Sequence, residues 1–202
     1  MMSPVRRNSM ISRLFSVLLL AMLLLPPSVA QQAYAADPRI ARIDPVVRDG
    51  HLEIDADVRF DLNDQLRDAA QRGLPLYFTA DLVVTRSRWW WFDRTEVDTS
   101  ITWRIVYNAL TRQWRAGADE LSLPVASLDD AMDVVRHIRG WRVAQADDLD
   151  SNVKYTGQLR VRLDTSLLAR PFQVNALNSS SWSPATPWTA FTFAVARPKD
   201  PS

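Results

Sequence analysis

The chain of 202 residues contains no cysteine, two histidines and only five glycines. Without cysteine there is no disulfide bridge and no thiolate ligand for a metal, so an apolar core must stabilise the fold. His51 and His137 stand far apart in the sequence and belong to no metal-binding spacing. The scattered glycines form no phosphate-binding loop. We therefore predict that the protein has no metal site and no cofactor.

Motifs for catalysis are lacking as well. No Gly-x-Ser-x-Gly string occurs, and Ser151 to Lys154 matches Ser-x-x-Lys only where a strand is expected to begin, not on a helix. Asp148 opens a partial match to a calcium-binding loop, which fails because Val153 and Leu159 replace the required glycine and glutamate. We therefore predict no catalytic residue and no enzymatic activity.

Acidic residues are absent from the first 35 positions, which instead contain three arginines. The arginines precede a 12-residue, mainly apolar run from Leu14 to Leu25, and Pro26 ends it. Small residues typical of cleavage sites follow at Ala30 and Ala35, in the order of a secretory signal peptide. A permanent span needs ~20 apolar residues, so this run is short for a membrane anchor. We predict a signal peptide over residues 1–35, cleaved after Ala35 or Ala30, and a periplasmic protein without an integral membrane span.

Without the predicted signal peptide, the chain also has no marked excess of positive or negative charge. The precursor has a net charge of +1, but its first 35 residues hold three basic groups and no acid, so the chain from Ala36 has a net charge of −2. A nearly neutral domain has no electrostatic footprint for nucleic acid. We therefore predict no nucleic-acid partner.

What the chain does contain is alternation of apolar and polar residues. From Leu52 to Phe60 five apolar residues alternate with acids and an arginine, which predicts a strand with one buried and one solvated face. Residues 40–47 predict a strand before it, placed at a sheet edge because Pro45 cannot donate a ladder hydrogen bond. Asp49 and Gly50 predict the tight turn between them. Further strands are expected over residues 76–85, 97–107, 113–116, 121–125, 154–163 and 188–196.

Two short helices are expected among these strands. Asn63 and Gly73 are suited to cap a helix between them, and Ser127 is suited to begin a second helix that ends at Gly140. Residues 36–196 are thus predicted to form a single β-rich domain, with a disordered tail over residues 197–202. The pattern favours a mainly β fold, an antiparallel, immunoglobulin-like β-sandwich of about seven strands with two short helices. An α+β antiparallel sheet with both helices on one face is the alternative.

Several spaced strings in the chain agree, in order, with one known family. The chain resembles an uncharacterised exported protein family of proteobacteria, the domain of unknown function 4390. This resemblance implies no catalytic residue, since the family has no assigned activity. It also implies a possible partner, the outer domain of an envelope sensor kinase encoded nearby, by analogy only. The strings that carry the resemblance are Arg48–Leu52, Gly73–Phe78, Arg88–Asp93, Tyr107–Thr111, Leu163–Leu168 and Pro171–Ala176.

Four consecutive aromatic residues next to arginines are the best functional signal in the sequence. In a strand, Trp89 and Trp91 would face one way and Trp90 and Phe92 the other, so both pairs cannot be solvated without cost. Exposed tryptophan beside arginine is typical of a protein-binding surface, of a platform on which sugars stack, or of the membrane interface. The competing interpretation is that all four aromatics pack inside under arginine stems. The predicted partner-binding residues are Arg88, Trp89, Trp90, Trp91, Phe92 and Arg94.

We therefore expect a non-catalytic, exported protein-interaction module, accessory to an envelope sensor kinase. A periplasmic protein that binds a small or lipidic ligand between its sheets and helices is the alternative. A hydrolase of envelope polymers ranks last, because no pair of carboxylates can be placed across a cleft from the sequence.

Overall fold

The computed structural model describes residues 37–86, 93–118, 121–178, 182 and 184–196. All of them belong to one compact unit that comprises residues 35–202. Within the described residues there are three α-helices, α1 (Asp64–Gln71), α2 (Leu128–Arg136) and α3 (Arg170–Asn178). The strands are β1 (Arg39–Arg48), β2 (His51–Arg59), β3 (Leu76–Arg86), β4 (Arg94–Asn108), β5 (Gln113–Ala118), β6 (Leu123–Val125), β7 (His137–Gln145), β8 (Lys154–Leu163) and β9 (Thr189–Ala194).

The strands form two sheets in which every neighbouring pair is antiparallel. One sheet has three strands in the order β1-β2-β7, and the other has six in the order β6-β5-β4-β3-β8-β9. The prediction of a mainly β, sandwich-like antiparallel fold is therefore confirmed. The described residues contain nine strands and three helices, against about seven and two expected.

A single apolar core joins the two sheets and the helices. The central strand β3 contributes alternate side chains with no solvent exposure, among them Leu76, Phe78 and Leu82. Phe60, just after β2, packs on Phe78 with ring centroids 5.3 Å apart. Fully burying a side chain of this size stabilises the fold by about 1.5–3 kcal/mol. Helix α2 contacts β2 and β7 of the smaller sheet and β4, β5 and β6 of the larger one, so it closes one end of the core.

Strand β1 lies at the edge of the three-stranded sheet, as its proline predicted. Its pairing with β2 shifts by one residue at Ala41, which forms a bulge. Further along the strand, Pro45 has no backbone N–H and leaves a gap in the row of hydrogen-bond donors. The turn to β2 follows the Asp49-Gly50 prediction, and both residues have positive φ, 50° and 75°. A side chain at Gly50 would be strained by that backbone, whatever space surrounds it.

The N-terminal caps of the first two helices are the predicted residues. Asn63 accepts the Leu66 amide at 2.8 Å, and Ser127 accepts the Asp130 amide at 3.0 Å. Such caps satisfy backbone donors that have no partner within the helix. The third helix was not predicted. It begins at Arg170, and its second residue is Pro171. Proline is tolerated in the first turn of a helix, because the backbone N–H groups there have no acceptor within the helix.

The end of α2 differs from the expectation. The helix stops at Arg136, and strand β7 begins at once with His137. Gly140 is therefore not a helix cap, and the prediction that it would be is wrong. It lies within β7 with φ of 61°, in a bulge where two residues face Asp55 of β2. A second shift leaves Val143 without a direct partner, so this edge strand is irregular twice.

Candidate functional site

Most of the predicted partner-binding segment lies outside the described residues. Arg88, Trp89, Trp90, Trp91 and Phe92 fall in the undescribed stretch 87–92, so their role stays a prediction. Arg94, the last predicted member, begins β4 opposite Arg86 of β3. Its guanidinium is exposed and lies 3.4 Å from the Glu96 carboxylate.

A groove that no sequence pattern indicated opens beside β7. This β7 groove has a volume of about 750 Å³ and lies between the outer strand of the smaller sheet and the inner face of β4 and β5. Ile101 and Trp103 of β4 line one side, and Ile138 and Trp141 of β7 line the other. Val134 of α2 lines it as well. Since four of these five residues come from two strands far apart in sequence, only the tertiary structure brings them together.

Two leucines extend the apolar surface beside this groove. The side chain of Leu121, which lines the groove, is 79% exposed, and that of Leu123 in β6 is 69% exposed. Gly117 permits this arrangement, because a Cβ atom there would lie 1.8 Å from the Leu121 carbonyl oxygen. The Leu121 amide donates to the Ala118 carbonyl at 3.1 Å. Isolated exposed leucines are ordinary, but an exposed leucine that lines a groove is of the kind used for binding.

The family comparison agrees with the resemblance of the spaced strings. A family model, Domain of unknown function (DUF4390), matches residues 35–192. The chain belongs to this DUF4390 family. No curated protein and no solved structure matches the chain.

Basic side chains from β7 flank the groove of this DUF4390 domain, and carboxylates of β2 hold them in place. Arg139 pairs with Asp57 and donates to the Ala56 carbonyl oxygen at 2.9 Å. The Nε atom of Arg142 lies 3.3 Å from Glu53. Both guanidinium groups are thus held by β2, while about half or more of each side chain stays exposed, 50% and 61%.

The carboxylates on the outer face of β2 form an ion-paired row. Arg48 lies 3.1 Å from both Glu53 and Asp55, and the Gly140 amide donates to Asp55 at 2.7 Å. The Arg48 hydrogen bond lowers the pKa of Glu53, and the Gly140 hydrogen bond, followed by Arg48, lowers the pKa of Asp55. The hydrogen bond from Arg139 likewise lowers the pKa of Asp57.

Glu53 is less exposed than the alternating pattern of β2 predicts. Its side chain is only 8% exposed, although it was expected on the solvated face. The long side chains of Arg48 and Arg142 reach its carboxylate from either side, and a buried carboxylate needs such partners. The charged outer face is therefore a structural network rather than a freely hydrated surface.

Two further observations bear on the kind of site the DUF4390 domain offers. In the portion of the chain that the structure describes, no cluster of three or more histidine, cysteine or acidic side chains is arranged to hold a metal ion. No helix within that portion is long and apolar enough to cross a bilayer.

Proposed function

We propose that this DUF4390 domain is a non-catalytic interaction module that acts after export and binds a protein partner through the β7 groove. The observation that carries the proposal is that the exposed Leu121 lines this groove, with the exposed Leu123 two residues further along the chain. Binding energy in protein interfaces concentrates where apolar and aromatic side chains become desolvated. Trp103 and Trp141 line the groove but are themselves buried, so the exposed Leu121 is the apolar side chain that a partner would cover.

The groove favours a partner that inserts side chains rather than one that adds a strand. Addition of a strand needs a regular row of free backbone donors and acceptors along the edge. Strand β7 is irregular at Gly140 and again at Val143, so its ladder is broken within nine residues. Bulges of this kind are a known protection of sheet edges.

The outer domain of an envelope sensor kinase is the partner class we would test first, following the family resemblance. The segment Arg88–Phe92 with Arg94 is retained as a second surface of the same proposal. It is tested separately by Trp90→Ala, which should weaken partner capture if that surface takes part.

A photocrosslinking experiment in cells tests the groove. The amino acid p-benzoylphenylalanine is placed at Leu121 and, as a matched control, at Leu110, which is 96% exposed in the β4–β5 turn and does not line the groove. We expect one crosslinked product of defined mass from position 121 and none from position 110. Leu123→Asp should abolish that product without changing the thermal midpoint of unfolding. Equal products from both positions, or none from position 121, would exclude the groove as the partner site.

A second function, binding of a small or lipidic ligand, is favoured by the size of the groove. Ligand sites have volumes of roughly 300–1,000 Å³, and the β7 groove falls in that range and lies between sheets and helix α2. Native mass spectrometry of the protein recovered from cells distinguishes this function. A ligand mass that disappears in Leu121→Asp would support it, and the same apo mass in repeated preparations would oppose it.

A further inference from the structure

A second cleft lies on a different part of the molecule, between helices α1 and α2. It has a volume of about 510 Å³ and shares no lining residue with the β7 groove. Its base is formed by the β4–β5 strand pair, and its rim by α1 and the first turn of α2. The side chains that matter for its chemistry are Arg67, Gln71, Tyr107, Trp114, Leu128 and Asp129.

The base of this α1–α2 cleft is aromatic. Tyr107 and Trp114 are directly opposite each other in β4 and β5, with ring centroids 5.0 Å apart. Trp114 is buried, whereas Tyr107 is only partly buried and presents ring surface to the cleft. The Tyr107 hydroxyl has no hydrogen-bond partner among the described residues. An aromatic ring of this kind offers an apolar surface and a polar group together.

The rim is polar and electrically balanced. Arg67 and Gln71 are one turn apart on α1, so they share one face of the helix. Both terminal nitrogens of Arg67 approach Asp129 Oδ1, at 3.3 and 3.4 Å, and thereby join the two helices. The side-chain amide of Gln71 is exposed and, within the described residues, makes no hydrogen bond. The rim therefore offers both donors and acceptors, and its one cation and one anion already neutralise each other.

We propose that the α1–α2 cleft binds a neutral saccharide. The C–H face of a sugar ring can pack on Tyr107. The sugar hydroxyl groups donate to Asp129 or Gln71 and accept from Gln71, Arg67 or the Tyr107 hydroxyl. Hydroxyl groups are both donors and acceptors, which matches a mixed rim better than a purely anionic or cationic ligand does. The paired charges of Arg67 and Asp129 remove the electrostatic gain that a charged ligand would need. This site goes beyond the proposed protein-binding function and is independent of it.

Nitrogen-15 NMR titration of the protein recovered from cells tests the site. The probes are maltose and N,N′-diacetylchitobiose, and 1,6-hexanediol serves as a control that has hydroxyl groups but no sugar ring. We expect a saturable shift of the amide signals of residues 67, 71, 107 and 129 with at least one sugar, with a Kd on the order of 1 mM. Hexanediol should cause no saturable shift.

Matched variants locate the binding. Gln71→Ala and Tyr107→Phe each remove one hydrogen-bonding group and should weaken sugar binding roughly fivefold, as expected for one hydrogen bond. Gln158→Ala removes an equally exposed amide on β8, outside the cleft, and should leave the Kd unchanged. The proposal is overturned if neither sugar shifts these signals at about 50 mM. It is also overturned if hexanediol matches the sugars, or if neither cleft variant weakens binding. Each of these outcomes leaves the β7 groove experiment unaffected.

Discussion

Replacing Gly157 with alanine tests how the last two strands of the six-stranded sheet pack. Gly157 of β8 lies opposite Phe191 of β9, and a Cβ atom at position 157 would lie 2.2 Å from the Cζ atom of that ring. The ring must therefore move, and overpacking of this kind costs about 1–3 kcal/mol. Alanine in a strand is favoured over glycine by about 0.5–1 kcal/mol. The net effect should be a loss of between zero and about 2.5 kcal/mol in the free energy of unfolding.

Removing the ring should reverse the sign of this effect. In a Phe191→Ala background nothing obstructs the new methyl group, so Gly157→Ala should increase the free energy of unfolding by about 0.5–1 kcal/mol. The four proteins of this double-mutant cycle are compared by urea denaturation, monitored by tryptophan fluorescence. The comparison of free energies requires that the four proteins have the same m value. If Gly157→Ala destabilises both backgrounds equally, the ring does not cover Gly157 and the reasoning is refuted.

Two further predictions concern acid stability and export. The pKa values of Glu53 and Asp55 are lowered in the folded state, so on acidification the unfolded chain takes up protons before the folded one does. The free energy of unfolding should therefore be constant above about pH 5 and decrease below it. Arg48→Gln should reduce that pH slope and the stability at pH 7, measured by urea denaturation from pH 7 to 3.5; an unchanged slope would contradict the pairing. Intact mass of the protein recovered from the periplasmic fraction should show Ala36 or Gln31 as the first residue, and an unprocessed chain would contradict the signal peptide.

Much of the strand pattern could be read from the sequence because one face of each sheet is buried. Strand β8 was expected over residues 154–163 and has those bounds, since alternate residues from Tyr155 to Leu163 enter the core. The turn at Gly50 and the caps Asn63 and Ser127 were also predictable, because each depends on the chemistry of one or two residues.

Strand β7 escaped prediction because its bulge breaks the two-residue period. Ile138 and Trp141, its buried residues, are three positions apart, which is a helical spacing. Ile138 also lies three positions after Val135 of α2, so it continued the apolar stripe of the preceding helix, and Gly140 was mistaken for the end of that helix. The bulge that hid the strand is also what places Ile138 and Trp141 on the same side, against the core.

The two clefts could not be predicted, for a different reason. The β7 groove combines Trp103 with Trp141, and the α1–α2 cleft combines Arg67 with Asp129, in each case across a long stretch of sequence. No local periodicity encodes such a meeting, since it depends on how the sheets and helices stack. Leu121 could have indicated the β7 groove. It is an apolar residue that follows two acids, Asp119 and Glu120, and it begins a predicted strand that is too short to bury it.

The interruptions along the sheet edges have a consequence for how copies of the domain meet. Pro45 and the bulge at Ala41 mark β1, β7 is irregular twice, and β6 has only three residues, one of them Pro124. Fibril growth needs long, flat strands whose backbones stack copy upon copy. The fourth edge strand, β9, pairs with β8 without a register shift, so we expect that any stacking of copies begins at β9 and not at β1, β6 or β7.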